Sequence, residues 1–310
     1  MKHYSLLMSK LLFRSFLTTL VICITYLGSL GITQPALAPT ADIKILGAST
    51  SEQEQLNNLV SYDLSEQPTV EILATGYLVM DLSSGQIVLG KQISSPLPIA
   101  SLTKLITVWT VLKHTSLDEV VTVPQKKFEN TSPSIGLIAD DKVKVSDLIN
   151  SILVGSNNDA ADVLANYVVN KVNLPFVDLM NQEAVNLGMT NSRFSNPLGF
   201  DSTVNYSSAK DLSVLVSELI QTNIFDATYR ATQYTFKSQL SRLYMTNATN
   251  QLINQYPDLK AVKTGFTPSA LGSMINILET PSGDYLIIVI GSPEREKDTL
   301  KLRKQLLNVR

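Results

Sequence analysis

The sequence places a serine hydroxyl and a lysine amine three residues apart in Pro98-Ile-Ala-Ser-Leu-Thr-Lys104. At that spacing the two side chains share one face of a helix. A serine is a poor nucleophile until a neighbouring base takes its proton, so Ser101 with Lys104 offers covalent catalysis through an acyl ester. Lys104 can act as that base only while neutral, whereas a free lysine keeps its proton to a pKa of about 10.4. Burial and a second cation nearby both lower that value. The pair alone decides nothing. Average residue usage gives Ser-x-x-Lys by chance about once or twice in a chain of this length, and Ser207 and Lys210 repeat the spacing.

Two further short motifs carry polar groups of the same kind: Ser156-Asn-Asn158, which follows Gly155, and Lys263-Thr-Gly265. Taken singly, Ser156 and Asn158 read as a helix cap and a turn, and Lys263 as a solvated charge on a strand. Other chemistries lack their parts. The single cysteine, Cys23, lies in an apolar N-terminal run, so the folded part has neither a disulfide nor a thiolate metal site. The histidines are His3 and His114, so a Ser-His-Asp triad would have to use His114, and a His-rich zinc site is excluded. No metal and no cofactor are expected. Lys2, Lys10 and Arg14 are the charges of the first 38 residues, which leaves 22 of the 25 basic side chains against 27 acidic ones beyond them. That balance excludes the basic footprint of a nucleic-acid binder.

The elements that must position these groups follow from apolar periodicity and turn residues. Leu105, Ile106, Val108, Trp109, Val111 and Leu112 predict a helix buried over most of its circumference, with Pro98 just before its start. Ser101 then sits on the first turn, where free N–H groups and the helix dipole favour developing negative charge. Ahead of it, 74–81 and 86–91 read as strands joined by the hairpin turn Leu82-Ser-Ser-Gly85. A short strand over 119–124 and a loop over 126–141 follow. Helices come next over 146–153 with Ser146 as cap, 160–169, 175–187 closed by Gly188, and 208–220. The last third turns to β-type segments at 259–266, 273–279 and 285–291, with Pro281-Ser-Gly-Asp284 as a hairpin turn. A closing helix over 294–309 packs Leu302, Leu306 and Val309 on the sheet. Strands at both ends of a helical middle predict an α+β domain.

Residues 1–38 have the layout of an export signal or membrane anchor. The first 14 are basic and free of acid, 16–32 are almost wholly apolar or small, and Ala36-Leu-Ala38 resembles a signal-peptidase site, with Pro39 placed to hinder cleavage. The orientation puts everything that follows outside the cytoplasmic membrane. A polar linker over 39–69, with a short helix around 54–62, leads to the domain proper at 70–310.

In their order, Ser101-Leu-Thr-Lys104, Ser156-Asn-Asn158 and Lys263-Thr-Gly265 resemble the motifs of the penicillin-recognising serine enzymes. The flanks Pro98-Ile-Ala-Ser-Leu-Thr-Lys-Leu105, Ser156-Asn-Asn-Asp-Ala160, Phe194-Ser-Asn-Pro-Leu-Gly199 and Val262-Lys-Thr-Gly-Phe-Thr267 narrow the resemblance to the serine D-Ala-D-Ala carboxypeptidase family, the low-molecular-mass penicillin-binding proteins of peptidase family S11. It covers about residues 72–292. It implies a β-lactamase/transpeptidase-like fold, with an antiparallel sheet formed by both ends of the domain and a helical subdomain between. It also implies roles. Ser101 is the nucleophile, Lys104 its base, and Ser156 relays the proton to the leaving amine. Asn158 holds the substrate amide, and Lys263 and Thr264, on an edge strand, receive a C-terminal carboxylate. Gly265 lets the substrate backbone approach, and the N–H groups of Ser101 and Phe266 form the oxyanion hole. Two positions depart from the family pattern: Leu198 stands where relatives usually have histidine, and Ala270-Leu-Gly272 where they commonly have Ala-Gly.

The resemblance implies an exported DD-peptidase, at the outer face of the membrane, in the periplasm or in the cell wall, with peptidoglycan stem peptides and β-lactams as partners. No obligate protein partner is evident. Carboxypeptidase is the leading expectation. Endopeptidase action on cross-links is the alternative, because the chain stops soon after the last predicted strand, a minimal form that the endopeptidase branch also has. A class A β-lactamase would need a Glu-x-x-Leu-Asn loop, and Glu183-Ala-Val-Asn186 has the wrong spacing and falls in a predicted helix. A non-catalytic sensor that signals through the N-terminal helix lacks a sizeable cytoplasmic domain to receive the signal.

Overall fold

The run Leu286-Ile-Ile-Val-Ile290 is apolar at every position, a pattern that suits a strand covered on both faces. In the computed structural model, which describes residues 71–125 and 132–308, this run is the centre of a five-stranded antiparallel sheet. The sheet is built from β1 (Gly76–Asp81), β2 (Ile87–Lys91), β7 (Leu259–Thr267), β8 (Leu271–Thr280) and β9 (Gly283–Ser292), in the order β2-β1-β9-β8-β7. The two ends of the domain therefore meet at the β1–β9 pair, with Leu78 opposite Ile288. Strand alternation divides β9: Leu286, Ile288 and Ile290 join the main core under the helices, and Ile287 and Val289 join a second core on the opposite face. Helix α6 (Arg295–Asn308) covers that opposite face, with Leu302 fully buried against it.

The helical layer comprises α1 (Lys104–His114), α2 (Val145–Gly155), α3 (Asn158–Val172), α4 (Phe176–Asn186) and α5 (Ala209–Gln221). Helix α1 is central and packs on each of the other four. Its residues from Lys104 to Val111 are all buried. Polar members of such a helix need internal partners: Thr107 Oγ1 donates to Pro197 O at 2.7 Å and Thr110 Oγ1 to Ile106 O at 2.8 Å. Among the described residues no helix is long and apolar enough to cross a membrane.

The structure adjusts several expectations. Ser101 lies not in the α-helix but in a 3₁₀ turn, Ala100–Thr103, that leads into it, with Ala100 held at φ +46°. Helix α2 starts one residue before Ser146 and has no side-chain cap, so Ser146 is inside its first turn. The helix expected from 160 begins at Asn158. The short strand expected over 119–124 is β3 (Val120–Thr122), but its partner β4 (Lys142–Lys144) was not anticipated, nor was the ribbon of β5 (Gln233–Lys237) with β6 (Leu243–Asn247). The β5–β6 ribbon has a legible signal, since Phe236 and Tyr244 alternate with exposed residues and stack at 5.2 Å between centroids. The predicted export segment over 1–38, the linker over 39–69 with its short helix, the first part of the 126–141 loop and Val309 lie outside the described residues.

A buried carboxylate ties the first described residues to the last helix. Asp298 accepts the N–H groups of Leu73 (3.1 Å) and Ala74 (2.8 Å) and the hydroxyl of Ser292 (2.7 Å). Asp298→Ala leaves these donors without an acceptor, at about 1–3 kcal/mol for each that stays buried. A loss of about 3 kcal/mol in urea unfolding is expected, and an unchanged midpoint would show that the clamp contributes nothing.

Candidate active site

The 3₁₀ turn and α1 set Ser101 beside Lys104, whose Nζ donates to Ser101 Oγ at 2.9 Å. The amine is completely buried. Its second partner is the backbone carbonyl of Leu198 at 2.5 Å, so at the position where relatives usually have histidine it is the main chain that touches the lysine. The segment carrying Leu198 is fixed by Asn196, whose Oδ1 accepts the N–H groups of Leu198, Gly199 and Phe200. Gly199, at φ +84°, lies on the turn that bears Ser101: a Cβ there would stand 2.2 Å from Ala100 O and 3.0 Å from Ser101 Cα.

Ser156 ends α2 in the left-handed region (φ 61°, ψ 28°). A non-glycine residue in that region costs of order 1–3 kcal/mol and persists where its surroundings enforce it. Its hydroxyl accepts from Lys263 Nζ at 2.8 Å. No hydrogen bond from Ser156 to Lys104 is among those of the described residues, so in this state Ser156 is held by the lysine of the third motif. Asn158 opens α3. Its backbone N–H donates to Pro133 O at 2.7 Å and its Nδ2 to Ser132 O at 2.9 Å, while its Oδ1 is buried and unpartnered. That orphan acceptor and the second Nδ2 hydrogen remain for a ligand amide.

The third motif lies on β7, the sheet edge, as the resemblance implies. Lys263 also donates to Thr264 O at 2.7 Å, and Arg295 donates to Gly265 O at 2.8 Å. Gly265 has a structural reason besides the one expected. A Cβ on it would come 2.9 Å from Ile99 O and 3.0 Å from Ser101 N, so the missing side chain lets β7 press against the Ser101 turn. The Phe266 side chain is 65 % exposed, in keeping with a role for its backbone alone.

Burial brings the Lys104 pKa down to about 7. Lys263 is pushed well below the ordinary lysine range, first by burial and then by the charges of Lys104 and Arg295. Two buried amines and a guanidinium do not all stay charged in so small a volume. An arriving carboxylate would supply the counter-charge that draws a proton back onto Lys263.

Other residues weighed from sequence are committed elsewhere. Ser207 is buried against Ser192 Oγ at 2.7 Å and Lys210 is exposed, so that second Ser-x-x-Lys forms no pair. Glu183 accepts the Trp109 indole N–H at 2.9 Å and bonds Asn186 at 3.2 Å. His114 is at the far end of α1, about 15 Å along the axis from Lys104. Among the described residues no group of three or more His, Cys, Asp or Glu could hold a metal ion. Sequence reasoning missed Asn196, whose Asn-Pro step is a turn signal, and Arg295, which carried no signal beyond its charge.

The antiparallel sheet, central helix and helical layer have the architecture of the β-lactamase/transpeptidase-like class, with the Ser101–Lys104 pair at the start of the central helix. A sequence profile described as D-alanyl-D-alanine carboxypeptidase, peptidase S11, matches residues 63–293, and the chain belongs to that family. It is 25% identical over 241 residues to the D-alanyl-D-alanine carboxypeptidase DacF of Bacillus subtilis, covering 75% of this chain and 61% of the relative. The chain thus spans about three fifths of the first curated relatives, 57–61% of their length. Other relatives bear the name D-alanyl-D-alanine endopeptidase. Among solved structures, the Streptomyces K15 DD-transpeptidase superposes with a TM-score of 0.69 at 26% identity, over 76% of this chain and 97% of that one. Penicillin-binding protein D2 of Listeria monocytogenes, in its ampicillin-bound form, gives 0.65 at 28%, over 77% and 98%.

Gly199→Ala combines a positive φ with a clash against backbone. It is expected to destabilise the domain by about 1–3 kcal/mol in urea unfolding. Wild-type stability would show that this loop does not rest on the Ser101 turn.

Proposed function

We propose that the chain is a serine DD-peptidase that cleaves the terminal D-alanine from peptidoglycan stem peptides through an acyl-enzyme on Ser101 and is acylated by β-lactams. The observation that carries it is the 2.9 Å bond between Ser101 Oγ and an amine buried enough to be half neutral near pH 7. Neutral Lys104 takes the hydroxyl proton as Oγ attacks the penultimate carbonyl carbon. The oxyanion forms toward the N–H groups of Ser101 and Phe266. The proton then leaves with the D-alanine amine by way of Ser156, and water later cleaves the ester. Lys263 and Thr264 receive the terminal carboxylate, Asn158 holds the stem-peptide amide, and Gly265 lets the edge strand close on the nucleophile. Residues 70–310 form the catalytic domain, and residues 1–38 export it or anchor it at the outer face of the membrane.

Carboxypeptidase action is supported by the cationic, hydroxyl-bearing edge of β7, which suits a free carboxylate. Relatives named as endopeptidases keep cleavage of cross-links as a second reading. The commitment of Glu183 to Trp109 and Asn186 speaks against a β-lactamase-type deacylating base there.

Intact-protein mass spectrometry after benzylpenicillin should show a stable adduct in wild type and none in Ser101→Ala; an adduct in that variant would remove Ser101 as nucleophile. Digestion of a pentapeptide monomer should release D-alanine faster than a cross-linked dimer is cut, and the reverse order would make the enzyme an endopeptidase. Because only neutral Lys104 is a base, the acylation rate constant should fall about tenfold per pH unit below about 7. A flat profile between pH 5 and 7 would contradict the assignment of the base.

A further inference from the structure

A second threonine stands behind the Lys-Thr-Gly motif. Thr249, in the segment after β6, has its hydroxyl 2.5 Å from that of Thr264. Its remaining neighbour is the Val154 carbonyl, in the last turn of α2, which receives the Thr249 N–H at 3.1 Å and the Thr249 hydroxyl at 3.4 Å. Both threonines line a narrow pocket with Val154, Thr228 and Lys263, and Thr264 is only 3% exposed.

Each hydroxyl has one hydrogen and two acceptor lone pairs. In one arrangement Thr264 donates to Thr249, which donates to Val154 O. In the other Thr249 donates to Thr264, whose own hydrogen turns to the cleft. The exchange costs little, because the bond given up is the long one at 3.4 Å and Val154 O keeps the Thr249 N–H. Only the second arrangement offers a donor to an anion, since a carboxylate accepts and never donates. The Thr249 bond has another effect. A threonine hydroxyl and methyl exchange places by rotation about χ1, and the partner at 2.5 Å holds the Thr264 hydroxyl in one of those places.

We propose that Thr249 is a positioning residue for recognition of the substrate's free C-terminal carboxylate: it holds Thr264 Oγ1 in place and donates to it, so that the Thr264 hydrogen points at the anion. The inference rests on the reading above that Thr264 receives that carboxylate. An amidated C-terminus carries donors as well as an acceptor and no charge, so it gains far less from this arrangement. Thr249 thereby contributes to the preference for a free terminus.

The test is a double-mutant cycle on one acyl-D-Ala-D-Ala peptide, with its C-terminus free or amidated, in the full chain. Thr249→Val is expected to lower kcat/KM about tenfold on the free peptide, the scale of one hydrogen bond to a charged group, mainly through KM. On the amidated peptide it should change kcat/KM by less than twofold. Thr249→Ser keeps the hydroxyl and should retain the preference. Thr264→Val should show the same selective loss, and Thr249→Val/Thr264→Val should be no worse than Thr264→Val alone, a non-additivity that a merely structural residue does not give. Equal losses on both peptides, or losses that add in the double variant, would overturn the role of Thr249 while leaving that of Thr264. If Thr264→Val leaves the preference intact, the carboxylate reading itself fails and takes this inference with it.

Discussion

Everything in this site depends on an ammonium group that the fold makes costly to keep. Lys104 opens a helix whose residues up to Val111 are all buried, and its Nζ has a serine hydroxyl and one carbonyl as its hydrogen-bond partners. In water a lysine at neutral pH is almost wholly charged; here burial brings the two protonation states close to balance. The apolar packing of α1 thus makes a neutral amine available beside Ser101, which is what the proposed base requires. A more open or more polar surrounding would leave the same two residues in place and inert.

The remaining architecture brings separate stretches of chain to that amine. The turn bearing Ser101 takes a left-handed residue at Ala100, Ser156 takes another at the end of α2, and Gly199 and Gly265 remove the two side chains that would keep their backbones off the turn. Backbone strain of this kind survives where its surroundings enforce it. The enforcement is visible: Asn196 gathers three N–H groups under the Leu198 carbonyl, and β7, anchored along β8, leaves its outer edge against Ser101. Lys263 and the Arg295 guanidinium then add positive charge beside the buried Lys104 amine, so the cavity favours an anionic ligand and disfavours a further ammonium.

The sheet and the central helix were legible because their signals are strong and local. The apolar run at 286–290 suits a strand covered on both faces, the largely apolar 105–112 suits a helix buried around most of its circumference, and Gly85, Gly188 and the 281–284 turn punctuate the chain. The motif serines and lysines were legible by order and flank. What escaped was set by tertiary contact. The β4 strand is Lys-Val-Lys and exists through its pairing with β3. The 3₁₀ turn at Ser101 is packed closely by Gly199 and Gly265, contacts between distant stretches of chain. Sequence did not show that Gly265 also lies against the chain's own turn at Ile99 and Ser101. Ser156, expected to bridge toward Lys104, is held by Lys263, a residue 107 positions away.

The central claim is that Lys104 is a neutral amine at working pH, and the most direct measurement is its own titration. Lysine side chains labelled with 13C at Cε, assigned by comparison with Lys104→Arg, can be followed by NMR from pH 5 to 11. The account requires one resonance with a midpoint near 7 that is absent from the variant. A Lys104 midpoint close to the ordinary value of about 10.4 would mean that the folded site holds an ammonium beside Ser101, and the proposed chemistry would have no base.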